Sequence, residues 1–296
     1  MTLVRLSREI EAALAGGGPV VALETTLVSH GFPGEEGLRV GLECEERVRE
    51  AGAVPATVGV LDGAVRVGLA RDELERFAGD STIRKAGPRD LAACAASGEP
   101  GATTVGGTLA ACRAAGIRFM GTGGLGGVHR GWTEHLDVSA DLGALASTPA
   151  LVVASGAKSI LDVPATSELL ETLGVPVLGF RADTLPLFYA AEGGPPVSSR
   201  VESAGEAARV AALHWELGGG GVLVGRPPDE SLDVEDLIAQ GVAEAERQDI
   251  RGQEATPFLL AYLHRESGGR TVEANKRLIV ANAALAAEIA VAHAAE

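Results

Sequence analysis

Residues 151–162 read Leu-Val-Val-Ala-Ser-Gly-Ala-Lys-Ser-Ile-Leu-Asp, a stretch that carries both a structural and a chemical signal. The first four residues form a short, continuous apolar run, which is typical of a strand buried on both faces of a parallel sheet. Small residues follow and lead to Lys158, so a substrate could approach this lysine closely. The stretch therefore predicts a buried strand followed by a loop that presents a lysine.

Short apolar runs and longer amphipathic segments alternate through the rest of the chain, as is typical of an α/β fold. The predicted strands are Pro19–Leu23, Ala56–Leu61, Phe119–Gly121, Leu151–Ala154, Val177–Gly179 and Gly221–Val224. The predicted helices are Gly34–Ala51, Leu69–Gly79, Thr108–Ala115, Ser167–Leu173, Ala204–Leu217, Val234–Gln248 and Asn275–Ala295. The last of these is long and rich in alanine, so we expect it to pack across the fold. No repeat and no compositional break divides the sequence, and we expect one domain over residues 1–296.

Residues 56–69 predict a β-hairpin within this pattern. Asp62-Gly63 has the residue types of a tight turn, and the residues after it alternate as in a returning strand. We therefore expect a mainly parallel sheet with an antiparallel portion.

Charge and composition exclude several classes of protein. The formal net charge of -15 disfavours nucleic acid and anionic lipid, because polyanions attract clustered Lys and Arg. No apolar run approaches the roughly 20 residues that cross a bilayer, and the N-terminal segment lacks the apolar region of a signal peptide. Cys44, Cys94 and Cys112 are widely spaced, unlike a zinc site or a disulfide framework, and are expected to be buried small hydrophobes. We expect a cytoplasmic protein with no nucleic-acid or membrane partner.

Lysine is rare in this chain, which has twenty-two Arg but only three Lys, at positions 85, 158 and 276. Arginine serves wherever charge alone is needed, whereas only lysine can lose its proton and form a Schiff base. Chance survival on a solvated face is the alternative explanation. Lys158 is the least like a surface residue of the three, because it follows a buried apolar run. Burial there would favour the uncharged, nucleophilic form of its amine.

Glu24 is a candidate for proton transfer. It ends an apolar run and precedes Thr25, Thr26, Ser29 and His30, and open α/β sheets bind ligands where their strands end. Partial burial would raise its pKa towards a value suited to proton transfer. A helix cap or a salt-bridged surface carboxylate is an equally open interpretation.

Three further segments could bind an anion, a ligand or a metal. Residues 83–90 place three cations beside a Gly-Pro turn that opens a helix, although they could instead form a solvated basic face. The glycine-rich segment 121–131 must turn sharply or approach a ligand, and His129 in it suits a phosphate or sugar. Asp137 and Asp141, with Ser139 between them, are hard oxygen ligands of the kind that bind Mg²⁺ or Mn²⁺, or else an Asp or Ser of this segment caps a helix N-terminus.

Together these segments resemble the pseudouridine-5′-phosphate glycosidase family, also called indigoidine synthase A-like. The resemblance runs in order over nearly the whole chain from about Pro19 onward. Two positions differ from the usual family pattern: Thr25 stands where Ser is common, and Gly106-Gly107 where Ala or another small residue is usual. The matching stretches are Ala22-Leu-Glu-Thr-Thr with Ser29-His-Gly, Gly52-Ala-Val-Pro-Ala-Thr with Leu61-Asp-Gly, residues 121–131, Asp137-Val-Ser-Ala-Asp-Leu, Gly156-Ala-Lys-Ser-Ile-Leu-Asp and Thr256-Pro-Phe-Leu-Leu.

The resemblance implies roles for particular residues. Lys158 would be the nucleophile, Glu24 the proton-transferring acid, and Asp137 the ligand of one Mn²⁺ per subunit, held largely through waters. His129 would lie near the sugar phosphate and Asn275 near the base. The implied substrate-binding residues are Lys85, Val105, His129, Ser139, Ala140, Asp141 and Asn275. The family also implies a homotrimer and a single-domain α/β/α sandwich around a mixed, mainly parallel central sheet.

The implied reaction is reversible cleavage of pseudouridine 5′-phosphate into uracil and ribose 5-phosphate. A C-glycosidic bond has no bridging heteroatom to protonate, so the two-carboxylate strategy of ordinary glycosidases does not apply. Ring opening, a C1′ adduct with Lys158 and proton delivery to the uracil carbon would let the base depart. Two alternatives stay open: a class I aldolase-like or isomerase enzyme acting on a sugar phosphate, and a non-catalytic nucleotide-binding protein.

Overall fold

The computed structural model describes residues 2–32, 34–80, 82–134, 136–158, 160–250 and 255–295, and the side chains of residues 255–257 lie outside this description. Ser159 and the side chains of Thr256 and Pro257, all in stretches quoted above, are therefore outside the described residues. The strands are β1 Val4–Leu6, β2 Val20–Glu24, β3 Val54–Leu61, β4 Ala64–Val67, β5 Arg84–Ala86, β6 Gly101–Thr103, β7 Phe119–Gly121, β8 Leu151–Ala154, β9 Val177–Phe180, β10 Ser199–Val201 and β11 Val222–Gly225.

Helices cover this sheet on both faces. They are α1 Arg8–Ala15, α2 Thr26–His30, α3 Glu36–Glu50, α4 Arg71–Glu75, α5 Leu91–Ser97, α6 Val105–Ala115, α7 Ala140–Ser147, α8 Val163–Thr172, α9 Ala204–Glu216, α10 Glu235–Arg247, α11 Ala255–Glu266 and α12 Arg270–Ala294. The fold is the expected α/β/α sandwich around a mixed, mainly parallel sheet.

The strands form one sheet in the order β1-β4-β3-β2-β7-β8-β11-β9-β10, with β6 pairing with β3 and β5 pairing with β6. The run from β3 to β10 is parallel throughout. The expected hairpin joins β3 to β4 in antiparallel fashion. Its turn residues Asp62 and Gly63 have φ of 51° and 73°, the left-handed geometry that the Asp-Gly pair favours.

Helices α1, α2, α5, α7 and α11 were not among the predicted helices, and the starts of α6, α8 and α12 were predicted too late. Helix α8 begins four residues before the predicted Ser167, because the side chain of Asp162 accepts a hydrogen bond from Ala165 N and Pro164 fits the first turn. Helix α6 likewise begins at Val105, where Thr104 supplies the N-cap. The strands β1, β5, β6 and β10 were not predicted, because runs of three residues carry little periodicity.

Helix α12 packs across the fold as expected. It contacts β2, β7 and β8 of the sheet and the helices α3 and α9. Among the described residues it is the one helix that is long and apolar enough to cross a membrane, and half of its most apolar window is buried inside the fold. Its apolar character is that of a core helix, and it places polar side chains beside the loops that follow β7 and β8.

Candidate active site

The candidate site forms where three neighbouring parallel strands end. Strands β2, β7 and β8 are adjacent, so their carboxyl ends meet at one edge of the sheet. Glu24 is the last residue of β2, the glycine-rich segment follows β7, and Lys158 lies four residues after the end of β8. Residues far apart in the sequence therefore converge because of strand order, as ligand sites of open α/β sheets do.

Two pockets open at this edge and share the side chains of Glu24, Thr26, Lys85 and Lys158 as common walls. The larger pocket, called the outer cleft below, has a volume of about 620 Å³, and the smaller pocket, called the inner cavity below, has a volume of about 60 Å³. The outer cleft contains all of the residues implied by the resemblance except Asn275, which lines the inner cavity. The sequence-predicted site residues in the outer cleft are Glu24, Lys85, Val105, His129, Asp137, Ser139, Ala140, Asp141 and Lys158.

Glu24 is a buried acid rather than a cap or a surface ion pair. The hydroxyl of Thr122 donates a hydrogen bond of 2.5 Å to its Oε1 atom. Burial raises the pKa of Glu24, while the charge of Lys158 and the bond from Thr122 oppose that shift. A carboxyl with a raised pKa at a cavity wall can hold a proton and deliver it to a bound ligand.

The Lys158 loop is fixed by pairing with the glycine-rich segment. Lys158 N donates to Leu125 O at 3.1 Å, and Leu125 N donates to Gly156 O at 3.0 Å. Gly156 has φ of 82°, and a Cβ atom there would lie 1.9 Å from Pro186 O, so only glycine fits. The backbone beneath the half-buried Lys158 side chain is therefore rigidly placed against the segment that follows β7.

Lys85 is the second lysine at the site, carried by the short strand β5. Burial, and next the positive charge of Lys158, lower its pKa to about 8. His30 lies beside it, with Nε2 at 2.9 Å from Ile83 O, and burial lowers the pKa of this imidazole. The third lysine, Lys276, instead forms ion pairs with Glu36 and Glu273 on the protein surface.

Asp141 joins the two polypeptide segments that form one side of the outer cleft. Its Oδ1 accepts a hydrogen bond from Gly106 N at 2.7 Å, and its Oδ2 accepts one from Gly126 N at 3.0 Å. Ser139 caps α7 through a hydrogen bond from Asp141 N. The helix-capping interpretation is therefore correct for Ser139, and the Asp141 carboxylate orders the cleft wall.

Asp137 lines the cleft with a side chain that is about one-third exposed, whereas the Asp141 carboxylate is buried and bonded to two backbone amides. Its Oδ2 lies 3.8 Å from Nδ1 of His129, whose pKa is lowered by burial. Among the described residues, no group of three or more His, Cys, Asp or Glu side chains could hold a metal ion. A single carboxylate such as Asp137 is the kind of ligand used by a hard cation that keeps most of its waters.

Several residues at or behind the site were not singled out from the sequence. Thr122 binds Glu24, and Phe188 lines the inner cavity. Arg89, one of the three cations predicted within residues 83–90, lines the outer cleft. Asn282 of α12 lies behind the cavity and is fully buried. Its lone amide within an apolar stretch of α12 is the one sequence signal that could have revealed it.

Comparison with known proteins defines the class to which this fold and site belong. The sequence profile described as indigoidine synthase A like protein matches residues 9–292. The chain belongs to this family.

The chain is also similar to individual named proteins over nearly its full length. A protein of Herpetosiphon aurantiacus named pseudouridine-5′-phosphate glycosidase is 46% identical, over 99% of this chain and 98% of its own. One of Streptomyces griseus with the same name is 49% identical, over 97% of this chain and 91% of its own. The crystal structure of the prealnumycin C-glycosynthase AlnA in complex with ribulose 5-phosphate has a TM-score of 0.91 and 41% identity, and covers 100% of this chain and 98% of that one.

Proposed function

We propose that this chain is an enzyme that cleaves the C–C glycosidic bond of pseudouridine 5′-phosphate, giving uracil and ribose 5-phosphate. The relatives named for this activity match almost the full length of the chain. The observation that carries the proposal is that a buried acid, Glu24, and a lysine, Lys158, are walls of the same two pockets. Carbon–carbon cleavage by an amine and a proton donor requires this pair.

Lys158 is assigned the nucleophilic step. Its amine bonds to C1′ of the ribose while the bond from C1′ to the ring oxygen breaks and that oxygen takes up a proton. The lone pair of the lysine nitrogen then forms a C=N bond as the C1′–pyrimidine bond breaks, and that bonding pair leaves with the base. Water hydrolyses the imine, which releases ribose 5-phosphate and restores the amine.

Glu24 is assigned the proton that the departing base requires. Burial raises the pKa of its carboxyl, so a protonated form persists closer to neutral pH than for an exposed glutamate. The hydrogen bond from Thr122 occupies Oε1 and leaves Oε2 as the oxygen available to the cavity. The proton passes from the carboxyl to the pyrimidine carbon that was bonded to C1′.

The outer cleft is suited to a sugar phosphate despite the net acidity of the chain. Lys85 and Arg89 line it, and the helices α6 and α7 both begin there. Helix N-termini and basic side chains stabilise a bound phosphate. In the inner cavity, the apolar side chains of Leu27, Phe188 and Ile279 adjoin the amide of Asn275, an arrangement suited to a flat polar base.

The Mn²⁺ and the oligomeric state belong to this proposal as predictions. Asp137 would hold the cation with waters completing its shell, and a hard divalent ion there would polarise a substrate oxygen. A homotrimer is expected from the family resemblance, and light scattering coupled to gel filtration tests it.

The experiment follows the ultraviolet absorbance of pseudouridine 5′-phosphate with purified protein, with and without added Mn²⁺, and identifies the sugar product by mass spectrometry. We expect uracil and ribose 5-phosphate in equal amounts. Uracil and ribose 5-phosphate incubated together should give the C–C linked nucleotide, which an aldolase-like enzyme or an isomerase would not form. Binding of the nucleotide without turnover would contradict the proposal and indicate a binding protein.

A further inference from the structure

Asn282 connects the two loops of the candidate site. It lies in the middle of α12, and its side chain is 0% exposed. Its Nδ2 donates to Thr122 O at 2.8 Å and to the hydroxyl of Ser155 at 3.1 Å. One amide group thus binds the loop that follows β7 and the loop that follows β8.

Each of these loops is connected to one of the two proposed catalytic groups, the carboxyl of Glu24 or the amine of Lys158. Thr122 binds the carboxylate of Glu24 through its hydroxyl, and Asn282 binds the carbonyl of that same threonine. Ser155 lies three residues before Lys158 in the sequence. Asn282 is therefore linked to the acid through one intervening residue, Thr122. It is linked to the amine through Ser155 and the three sequence positions from there to Lys158.

The loops also bind each other at the level of Asn282. Ser155 N donates to Gly123 O at 2.9 Å, and Thr122 N donates to Val153 O at 3.0 Å. Strand pairing ends at this point, because β7 ends at Gly121 and β8 at Ala154. Backbone hydrogen bonds between the two segments continue from there to Leu125 and Lys158, and the amide of Asn282 adds a side-chain connection from α12 at the start of both loops.

Burying an amide at this position costs free energy unless the amide is hydrogen-bonded. Its neighbours Ile279, Ala283 and Ala286 are buried apolar residues, and an apolar side chain would pack there without polar atoms to satisfy. A buried amide is tolerated only when its donors and acceptor find partners. Here the partners belong to the two site loops, which indicates a role in their alignment.

We infer that Asn282 is a positioning residue that sets the distance between the Glu24 carboxyl and the Lys158 amine. This inference rests on the proposed function, because the distance matters only if the two groups act on one substrate. A misplacement of about 1 Å in a reacting group can cost roughly 100-fold in rate. Asn282 touches neither pocket, so its removal should lower kcat while KM stays within about threefold.

The test compares Asn282→Ala and Asn282→Ser with Thr271→Val. Thr271 lies on the same helix, is fully buried and has Ser267 and Tyr189 as its polar side-chain neighbours rather than either site loop, so its replacement reports the cost of losing a buried polar group on α12. We expect both Asn282 variants to lose about 10- to 100-fold in kcat and to shift the pH profile of kcat. Thr271→Val should lose stability with kcat and the profile unchanged. The serine variant keeps a hydroxyl at the position if the alanine variant does not fold.

Hydrogen–deuterium exchange gives a readout that does not need turnover. In the Asn282 variants, amide exchange should rise together in residues 121–125 and 155–158, and not in Thr271→Val. The inference is overturned if exchange rises only within α12, or if the variants lose melting temperature but keep kcat and its pH profile. If the wild-type protein does not cleave the nucleotide, the proposed function fails, and the exchange result still decides whether Asn282 aligns the loops.

Discussion

The hydroxyl of Thr122 donates a 2.5 Å hydrogen bond to the buried carboxylate of Glu24. This contact joins two neighbouring strand ends, and it favours the ionised form of an acid whose pKa burial raises. Proton delivery from Glu24 therefore depends on a balance between burial, which raises its pKa, and the charge of Lys158 together with this hydroxyl group, which lower it.

Removing that hydroxyl should change how activity depends on pH. In Thr122→Val the pKa of Glu24 should rise further, because a bond that stabilises the carboxylate is lost. The protonated acid then persists to higher pH, and the alkaline limb of kcat should move upward. Rate profiles between pH 5 and 10 check this, with Thr108→Val as a matched control that loses a buried hydroxyl bonded to Thr103. An unmoved alkaline limb would exclude Glu24 as the titrating acid.

Replacing the acid itself should separate activity from stability. Glu24→Gln removes the proton donor and should lower kcat by about 100-fold or more. Because the folded-state pKa of Glu24 is raised, its contribution to stability is present at low pH and is lost as pH rises through that pKa. The glutamine variant should therefore gain thermal stability over the wild type as pH increases. Melting curves from pH 4 to 8 test this, and a stability gap that shrinks with pH would contradict it.

Lys85 should make substrate affinity depend on pH near 8. Its pKa is lowered to about 8 by burial and by Lys158, so its positive charge is lost as pH rises through that value. KM should then increase above pH 8, and Lys85→Met should raise it about 10- to 100-fold, since hydrogen bonds to charged groups contribute about 1.5–3 kcal/mol. Lys276→Met, a change at a surface ion pair, should leave KM unaltered. A KM that is flat to pH 9.5 would remove Lys85 from the phosphate site.

The cation should depend on Asp137 alone among the carboxylates of the cleft. Asp137→Asn should weaken Mn²⁺ binding, measured by electron paramagnetic resonance, and should require more Mn²⁺ for half-maximal rate. Asp62→Asn, in the hairpin turn away from the cleft, is the matched control. Activity that is indifferent to thorough chelation would show that no metal takes part.

Glycine 126 tests the close packing of the cleft wall. A Cβ at Gly126 would clash with Ser139 Oγ and would lie 2.5 Å from Asp141 Oδ2, so Gly126→Ala should displace both side chains of this wall and reduce activity about tenfold or more. Gly143→Ala is the control, because no atom lies within 4 Å of a Cβ at that helical position. It should keep full activity and gain slightly in stability. Equal activity in the two variants would contradict the assigned role of Asp141.

Local signals explain which parts of the fold were predictable. The apolar run before Lys158 and the Asp62-Gly63 turn are complete within a few residues, and both structures are as predicted. Lys85 was noted as part of a basic cluster, but its strand β5 depends on pairing with β6. No short window of sequence contains that pairing.

The candidate site shows the same division. Glu24 and Lys158 could be selected because each follows a recognisable apolar strand. Asn282 and Thr122 gain their roles only from the order of β7 and β8 and from the position of α12, which are tertiary features. The convergence of Lys85 and Arg89 with Lys158 on one cleft was similarly hidden, because the net charge of -15 averages over the whole surface.

Trapping of the lysine adduct tests the central claim most directly. The wild-type enzyme is reduced with borohydride during turnover of pseudouridine 5′-phosphate and digested for peptide mass spectrometry, with Lys158→Ala treated in parallel. We expect one reduced pentose phosphate on Lys158 and none on the variant, which should also be inactive. A sugar attached to Lys85 instead, no attached sugar during active turnover, or full activity in Lys158→Ala would contradict the mechanism.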